Sequence, residues 1–283
     1  MNPVPELTTI AKLAADQLNL RNVVFCGKGA FKETYRAENT DGQVLALKLV
    51  DRAKIDLVRT EREIGALKRC HSPRIAKVHD TLAFQASDTR IFDVVLEEFL
   101  DGGSLEDLLK GTSLAQPQVV NLAIGLFRAV RDLHPLRLVH RDIKPANIMF
   151  RKGSMDPVLV DFGLVRDLSQ SSLTATWIPN GPGTPFYASP EQLNNDKVMI
   201  DWRSDQFAIG VIVGHLLTGQ HPYQSDAANP GSAVYAALER RGPTKEFQEE
   251  MRNRELLAVV KMVGAWPVQR FPHPDEVLAK LIP

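Results

Sequence analysis

His140-Arg141-Asp142-Ile143-Lys144-Pro145-Ala146-Asn147 is the stretch on which the reading of this 283-residue chain turns. Shortly after it comes Asp161-Phe162-Gly163, preceded by the apolar run Pro157 to Val160, which reads as a strand. Two carboxylates and a carboxamide on adjacent loops offer hard oxygens suited to Mg2+. Asp142 can orient a hydroxyl and accept its proton. Lys144 can neutralise charge on a group in transfer. A polar turn between two strands would account for the polarity, but not for this set of residue types at these spacings.

Upstream, the pattern is that of a small sheet. Val23 to Phe25, Glu33 to Glu38, Val44 to Val50, His79 to Ala83 and Ile91 to Glu98 read as strands, separated by Gly27, Gly29 and the Thr40-Asp41-Gly42 turn. One helical segment, Arg59 to Cys70, interrupts them, with Ile64 and Leu67 on one side. Before the first strand, Pro5 to Leu20 has helical spacing at Ile10, Leu13, Ala14 and Leu18. Beyond Asp101-Gly102-Gly103 the chain turns helical. Ser104 or Asp101 can cap Leu105 to Lys110, and Pro117 opens a helix through Leu133. Further helices are expected at Asp205 to Thr218, Ala233 to Arg240, Arg254 to Val263 and Pro274 to Leu281.

Two features of the β-rich part bear on chemistry. Gly27-Lys28-Gly29-Ala30-Phe31 lies between two strands, where glycines let a hairpin backbone approach phosphates closely. An ordinary turn explains it as well, and a strand follows it, so it is not a dinucleotide fingerprint. In Leu45-Ala46-Leu47-Lys48 a lysine sits inside an apolar strand, where burial is costly unless it is paired. Glu61 and Glu63 on the next helix could supply the partner. A lysine that reaches out to water from the strand end is the plainer alternative.

Taken together, these motifs resemble the catalytic domain of eukaryotic-type (Hanks-type) Ser/Thr protein kinases, with a bacterial flavour in Gly183-Thr184-Pro185-Phe186-Tyr187 and the Ser189-Pro190-Glu191-Gln192 that follows. The match runs from about Val23 to Leu281. The resemblance implies an α+β, bilobal protein-kinase-like fold. Residues 22–99 would form a small antiparallel β-sheet N-lobe with one main helix, and residues 100–283 a larger, mostly α-helical C-lobe, with residues 1–21 as an N-terminal helical extension. It implies ATP with Mg2+, or Mn2+, as cofactors. Lys48 would hold the α/β-phosphates and pair with Glu63. Asp142 would be the catalytic base, with Lys144 beside it, and Asn147 and Asp161 would bind the metal. Cys26, Gly27, Lys28, Gly29, Ala46 and Met149 would line the nucleotide. The Glu98 carbonyl and Leu100 N–H would meet the adenine edge in the hinge Glu98-Phe99-Leu100. Glu191 would pair with Arg270, and Asp205 would tether the catalytic loop. Lys144, two residues after Asp142, fits the Ser/Thr branch.

The chain departs from the family pattern at several places. Lys32 replaces the third glycine of the loop, and Thr34 replaces the usual Val over adenine. Glu97 stands where an apolar residue or Thr normally gates the pocket behind adenine; a carboxylate there needs a partner or a water. Lys48 and Glu63 are close together for the family, so the connection must be tight or Glu61 is the partner. Arg141 beside Asp142 could receive a phosphate from the segment Asp161 to Glu191, and Thr174 or Thr176 is the expected autophosphorylation site. Thr184 is expected to contact Asp142 and Lys144.

The totals narrow the class. Lys plus Arg and Asp plus Glu are 34 each, so the net charge indicates neither nucleic acid nor a membrane surface as a partner. Cys26 and Cys70 are too few for a disulfide framework, which fits a reducing, cytoplasmic setting. No secretory signal is read at the N-terminus, and the most apolar run, Phe207 to Leu217, is too short to span a bilayer. The expected partner is a protein substrate, with self-association for trans-autophosphorylation. An ATP-binding scaffold without catalysis, or a kinase of a small-molecule alcohol, would use the same fold; the substrate platform around Gly183-Thr184 favours protein.

Overall fold

The computed structural model describes residues 6–29, 32–54, 57–161, 184–224, 226, 229 and 231–282. The side chains of residues 54, 57–59, 62, 63 and 184 also fall outside the description. Phe162, Gly163, Thr174 and Thr176 therefore lie outside the described residues, as do the side chains of Glu63 and Thr184. The chain divides into two units, one ending at Asp101 and the other beginning at Gly102.

In the first unit, β1 (Arg21–Lys28), β2 (Lys32–Glu38), β3 (Val44–Asp51), β4 (Val78–Gln85) and β5 (Ile91–Glu98) form an antiparallel sheet in the order β1-β2-β3-β5-β4. Strand alternation divides its side chains between two faces. Tyr35, Leu47 and Leu96 share one face, because Tyr35 pairs with Leu47 and Leu47 with Leu96. Thr34, Lys48 and Val95 share the other by the same registers. Helix α1 (Leu7–Gln17) covers the first face and joins its core through Ile10, Ala11, Ala14 and Ala15. Helix α2 (Leu57–Lys68) serves the other face, where Lys68 Nζ donates to Thr81 Oγ1 at 2.9 Å. With both faces covered, β3 is buried from Leu45 to Val50, so it reads as a continuous apolar run, not an alternating one.

The expected N-terminal helix forms, with a correction to its inward face. Leu13 is 46% exposed, while Ala11 and Ala15 are fully buried. Ile10, Ala11, Ala14 and Ala15 make up the buried face, where alanines let the helix axis come close to the sheet, and at 100° per residue Leu13 falls outside that face. A short 3-10 turn at Arg52–Lys54 makes the tight link from β3 towards α2.

The second unit is helical. Helix α3 (Leu105–Leu109) is capped by Ser104, whose Oγ accepts from Asp107 N at 3.1 Å. Helices α4 (Gln116–Leu133) and α7 (Trp202–Thr218) pack together and form its centre. The short helices α5 (Thr184–Tyr187) and α6 (Pro190–Leu193) precede α7. Helices α8 (Gly231–Leu238), α9 (Lys245–Asn253), α10 (Leu257–Met262) and α11 (Pro274–Leu281) follow, with α11 against α4 and α10 against α7. The expected helix Arg254 to Val263 is shorter, because α9 occupies the preceding residues and the chain turns before α10. A small hairpin of β6 (Ile148–Met149) and β7 (Val158–Leu159) lies beside α4. Gly125 makes that approach possible: a Cβ there would stand 2.5 Å from Pro157 Cγ.

Candidate active site

The hairpin of β6 and β7 fixes the positions of the candidate metal ligands. Asn147 immediately precedes β6, and Asp161 closely follows β7. The hydrogen bond from Val160 N to Asn147 O at 3.1 Å ties Asn147 to the residue before Asp161. The Asn147 side chain is buried, and its amide Nδ2 donates to Asp142 O at 2.8 Å and to Asp142 Oδ2 at 2.9 Å. Lys144 Nζ reaches the same Oδ2 at 3.0 Å. Asp142, Lys144 and Asn147, three residues picked from the sequence, thus form one hydrogen-bonded cluster. The amide nitrogen of Asn147 is committed to Asp142.

The two loops that carry these residues hold strained backbone. Arg141 has φ 66° and Asp161 φ 62°, in the left-handed region that costs a non-glycine residue about 1–3 kcal/mol. Such geometry persists where the surroundings over-determine it. The buried carboxylate of Asp205 accepts from His140 N and Arg141 N, each at 2.8 Å. Gln192 Nε2 donates to Arg141 O at 2.8 Å. His140, itself fully buried, bonds through Nε2 to Val160 O at 2.9 Å, next to Asp161. Burial pushes the Asp205 carboxyl up to about 8, against the opposing pull of the His140 N–H. The tether that the resemblance implied is present. Gln192, whose sequence gave no sign of a role, adds a second hold on the strained turn.

Glu191 and Arg270 also meet as implied. Arg270 Nη1 and Nη2 donate to the two carboxylate oxygens at 2.7 and 2.9 Å, with both side chains fully buried. Ser204 Oγ adds a hydrogen bond to Glu191 at 2.7 Å.

In the first unit, the β1–β2 hairpin pairs Gly27 with Thr34 and Lys28 with Glu33, and Gly29 N bonds to Lys32 O at 2.8 Å. Lys28 forms an ion pair with Glu33 at 3.1 Å. Glu33 also accepts from the Tyr35 hydroxyl at 2.5 Å; burial and that carboxylate push Tyr35 up to about 12. Cys26 is exposed, and Ala46 and Leu100 are buried. Glu98 N is held by Lys77 O at 2.8 Å. Lys48 is buried and paired, as its place in an apolar strand required. Its partner among the described side chains is Glu97, whose Oε2 receives the ammonium. The partnership between Lys48 and Glu63 falls outside the described side chains. The departure at Glu97 thus has a physical answer: the carboxylate and the ammonium neutralise each other in the sheet.

Comparison with known proteins gives the same direction. The family described as Protein kinase domain matches residues 20–260. A probable serine/threonine-protein kinase of Streptomyces coelicolor is 30% identical over 260 residues, which cover 89% of this chain and 37% of the relative. The probable serine/threonine-protein kinase PknB of Bifidobacterium longum is 32% identical over 212 residues, 71% of this chain and 30% of the relative. Serine/threonine-protein kinase PknD of Mycobacterium tuberculosis is 33% identical over 207 residues, with the same coverage of 71% and 30%. The chain spans about a third of the length of these curated relatives.

Proposed function

The chain belongs to the protein kinase family, and from that premise we propose that it transfers the γ-phosphoryl of ATP to Ser or Thr hydroxyls of protein substrates. The observation that carries this reading is the hydrogen-bonded cluster of Asp142, Lys144 and Asn147 on a loop held by Asp205. The names of the relatives and the position of Lys144 support the choice of Ser and Thr.

In this reading Lys48 takes the α/β-phosphates, and the β1–β2 hairpin with Cys26, Gly27, Lys28 and Gly29 lies along the nucleotide. Ala46 and Met149 line the base, while the Glu98 carbonyl and Leu100 N–H bond its edge. Asn147 and Asp161 hold the metal. Their carboxamide and carboxylate oxygens are hard donors that would suit Mg2+ or Mn2+. A metal held there would supply neutralisation of phosphate charge. Asp142 orients the incoming hydroxyl and receives its proton. The new bond joins the hydroxyl oxygen to the γ-phosphorus as the bond to the β,γ-bridging oxygen breaks, and ADP leaves. Lys144 offsets charge on the group in flight.

Protein substrates are the partners in this account, and a second copy of the chain is one of them if Thr174 or Thr176 is autophosphorylated in trans. A cytoplasmic setting fits, and no helix among the described residues is long and apolar enough to cross a membrane. The test is incubation with Mg·ATP and a generic basic protein, with phosphoamino-acid analysis of the product. Phosphoserine or phosphothreonine is the expected outcome. ATP binding without transfer would mean a scaffold, and transfer only to small alcohols would mean a different substrate class.

A further inference from the structure

The pairing of Lys48 with Glu97 follows from strand register. Lys48 stands opposite Val95 and Ala46 opposite Glu97, so Glu97 lies two residues along β5 on the same face as Lys48. Diagonal neighbours at that offset are within reach of long side chains. The two side chains are only 8% and 7% exposed, so neither charge is satisfied by bulk water. Asp93, the other carboxylate on this face of β5, is engaged by Arg52 at 2.8 and 2.7 Å. That leaves Glu97 as the carboxylate of β5 that answers Lys48. Both backbones belong to one continuous antiparallel ladder, so the sheet fixes the positions from which the two side chains meet.

We infer that Glu97 is a positioning residue for phosphotransfer, holding the Lys48 ammonium from within the sheet at the point where it meets the ATP phosphates. This rests on the reading of Lys48 as the phosphate anchor. An ammonium carries three donors, enough for Glu97 and for phosphate oxygens together. Glu97 acts through Lys48 and touches no reacting atom. Its removal would leave Lys48 buried with one hold fewer and would displace the ammonium from its phosphate-facing position.

Titration calorimetry with Mg·ATP and with adenosine, which has the same base and sugar but no phosphate, tests this on the full chain. Glu97→Gln should weaken Mg·ATP by about tenfold or more, the effect of losing one charge-assisted hydrogen bond, and weaken adenosine, which has no phosphate to engage Lys48, by clearly less. Glu97→Asp should restore part of the loss. In turnover assays the KM for ATP should rise while the KM for protein substrate stays constant. Lys48→Met/Glu97→Met, which removes both buried charges, should bind Mg·ATP no more weakly than Lys48→Met, which leaves the Glu97 carboxylate buried without its ammonium. That comparison decides the matter even if Glu97→Gln does not fold. An equal loss for adenosine and Mg·ATP, or a further loss of Mg·ATP affinity in the double variant, would overturn the role of Glu97. A wild-type chain that binds no Mg·ATP would overturn the kinase reading itself.

Discussion

Replacing Arg270 with Met puts a number on the buried ion pair of the helical unit. Glu191 and Arg270 are both completely buried, and the guanidinium also donates to Gly264 O at 2.8 Å and to Arg203 O at 2.9 Å while lying 4.9 Å from the Phe207 ring centroid. Met fills the volume but leaves the Glu191 carboxylate in the core with the Ser204 hydroxyl beside it. Removing one member of a buried pair costs about 3–5 kcal/mol. For a large domain each kcal/mol shifts the melting midpoint by about 2–4 °C, so Arg270→Met should melt about 6–20 °C below wild type by circular dichroism. Glu191→Met/Arg270→Met removes both charges and should regain most of the loss. Acid supplies an independent reading. Burial works to raise the Glu191 pKa, but the hydrogen bond and charge of Arg270 outweigh it and hold the carboxyl below its ordinary value. Its folded pKa is therefore lower than its unfolded one. The stabilisation is complete above the unfolded carboxylate value and is lost as pH falls through the folded one. The wild-type advantage over the double variant should shrink on acidification below about pH 4. A single variant within about 1 kcal/mol of wild type, or a double variant no better than the single, would refute the reasoning.

Other perturbations separate the loop, the extension and the base. Asp205→Ala strips the acceptor from two backbone N–H groups, at about 1–3 kcal/mol for a buried unsatisfied donor; phosphotransfer should fall steeply in a turnover assay while calorimetry finds Mg·ATP still bound. Asp142→Asn should slow transfer by about 100- to 10,000-fold, the range for a general base, with nucleotide affinity retained. Ile10→Ala should cost about 2–5 kcal/mol in urea unfolding because α1 belongs to the sheet core. Its neighbour Leu13→Ala should stay within about 0.5 kcal/mol; equal effects at the two positions would remove α1 from the core.

Much of this structure is readable from residue order. The sheet strands announced themselves by short runs between turns, and α4 by its length and the proline at its start; α7 begins at Trp202 behind an Asp201 cap, ahead of the Asp205 start expected from the sequence. Helix α9 escaped because Lys245–Asn253 is almost wholly polar, with only Phe247 and Met251 buried one turn apart. Its cap, Thr244 Oγ1 accepting from Phe247 N, was the available signal. The inward face of α1 was misread because alanine is a weak hydrophobic signal, although it is the residue that permits close packing. At the site, Asp142, Lys144 and Asn147 are near neighbours in sequence, so their clustering needed only a local turn. The pairing of Lys48 with Glu97 depends on the register of β3 against β5, which no single strand reveals. The same holds for Gln192, whose grip on Arg141 O depends on tertiary packing.

The central claim is that Lys48, Asp142, Asn147 and Asp161 serve one phosphotransfer to a protein hydroxyl. Single-turnover measurement of ATP consumed against phosphoserine and phosphothreonine formed tests it most directly, on wild type and on Lys48→Ala, Asp142→Ala, Asn147→Ala and Asp161→Ala. The account expects the two quantities to match in wild type and both to collapse in each folded variant. Wild-type turnover in any one of the four would contradict it.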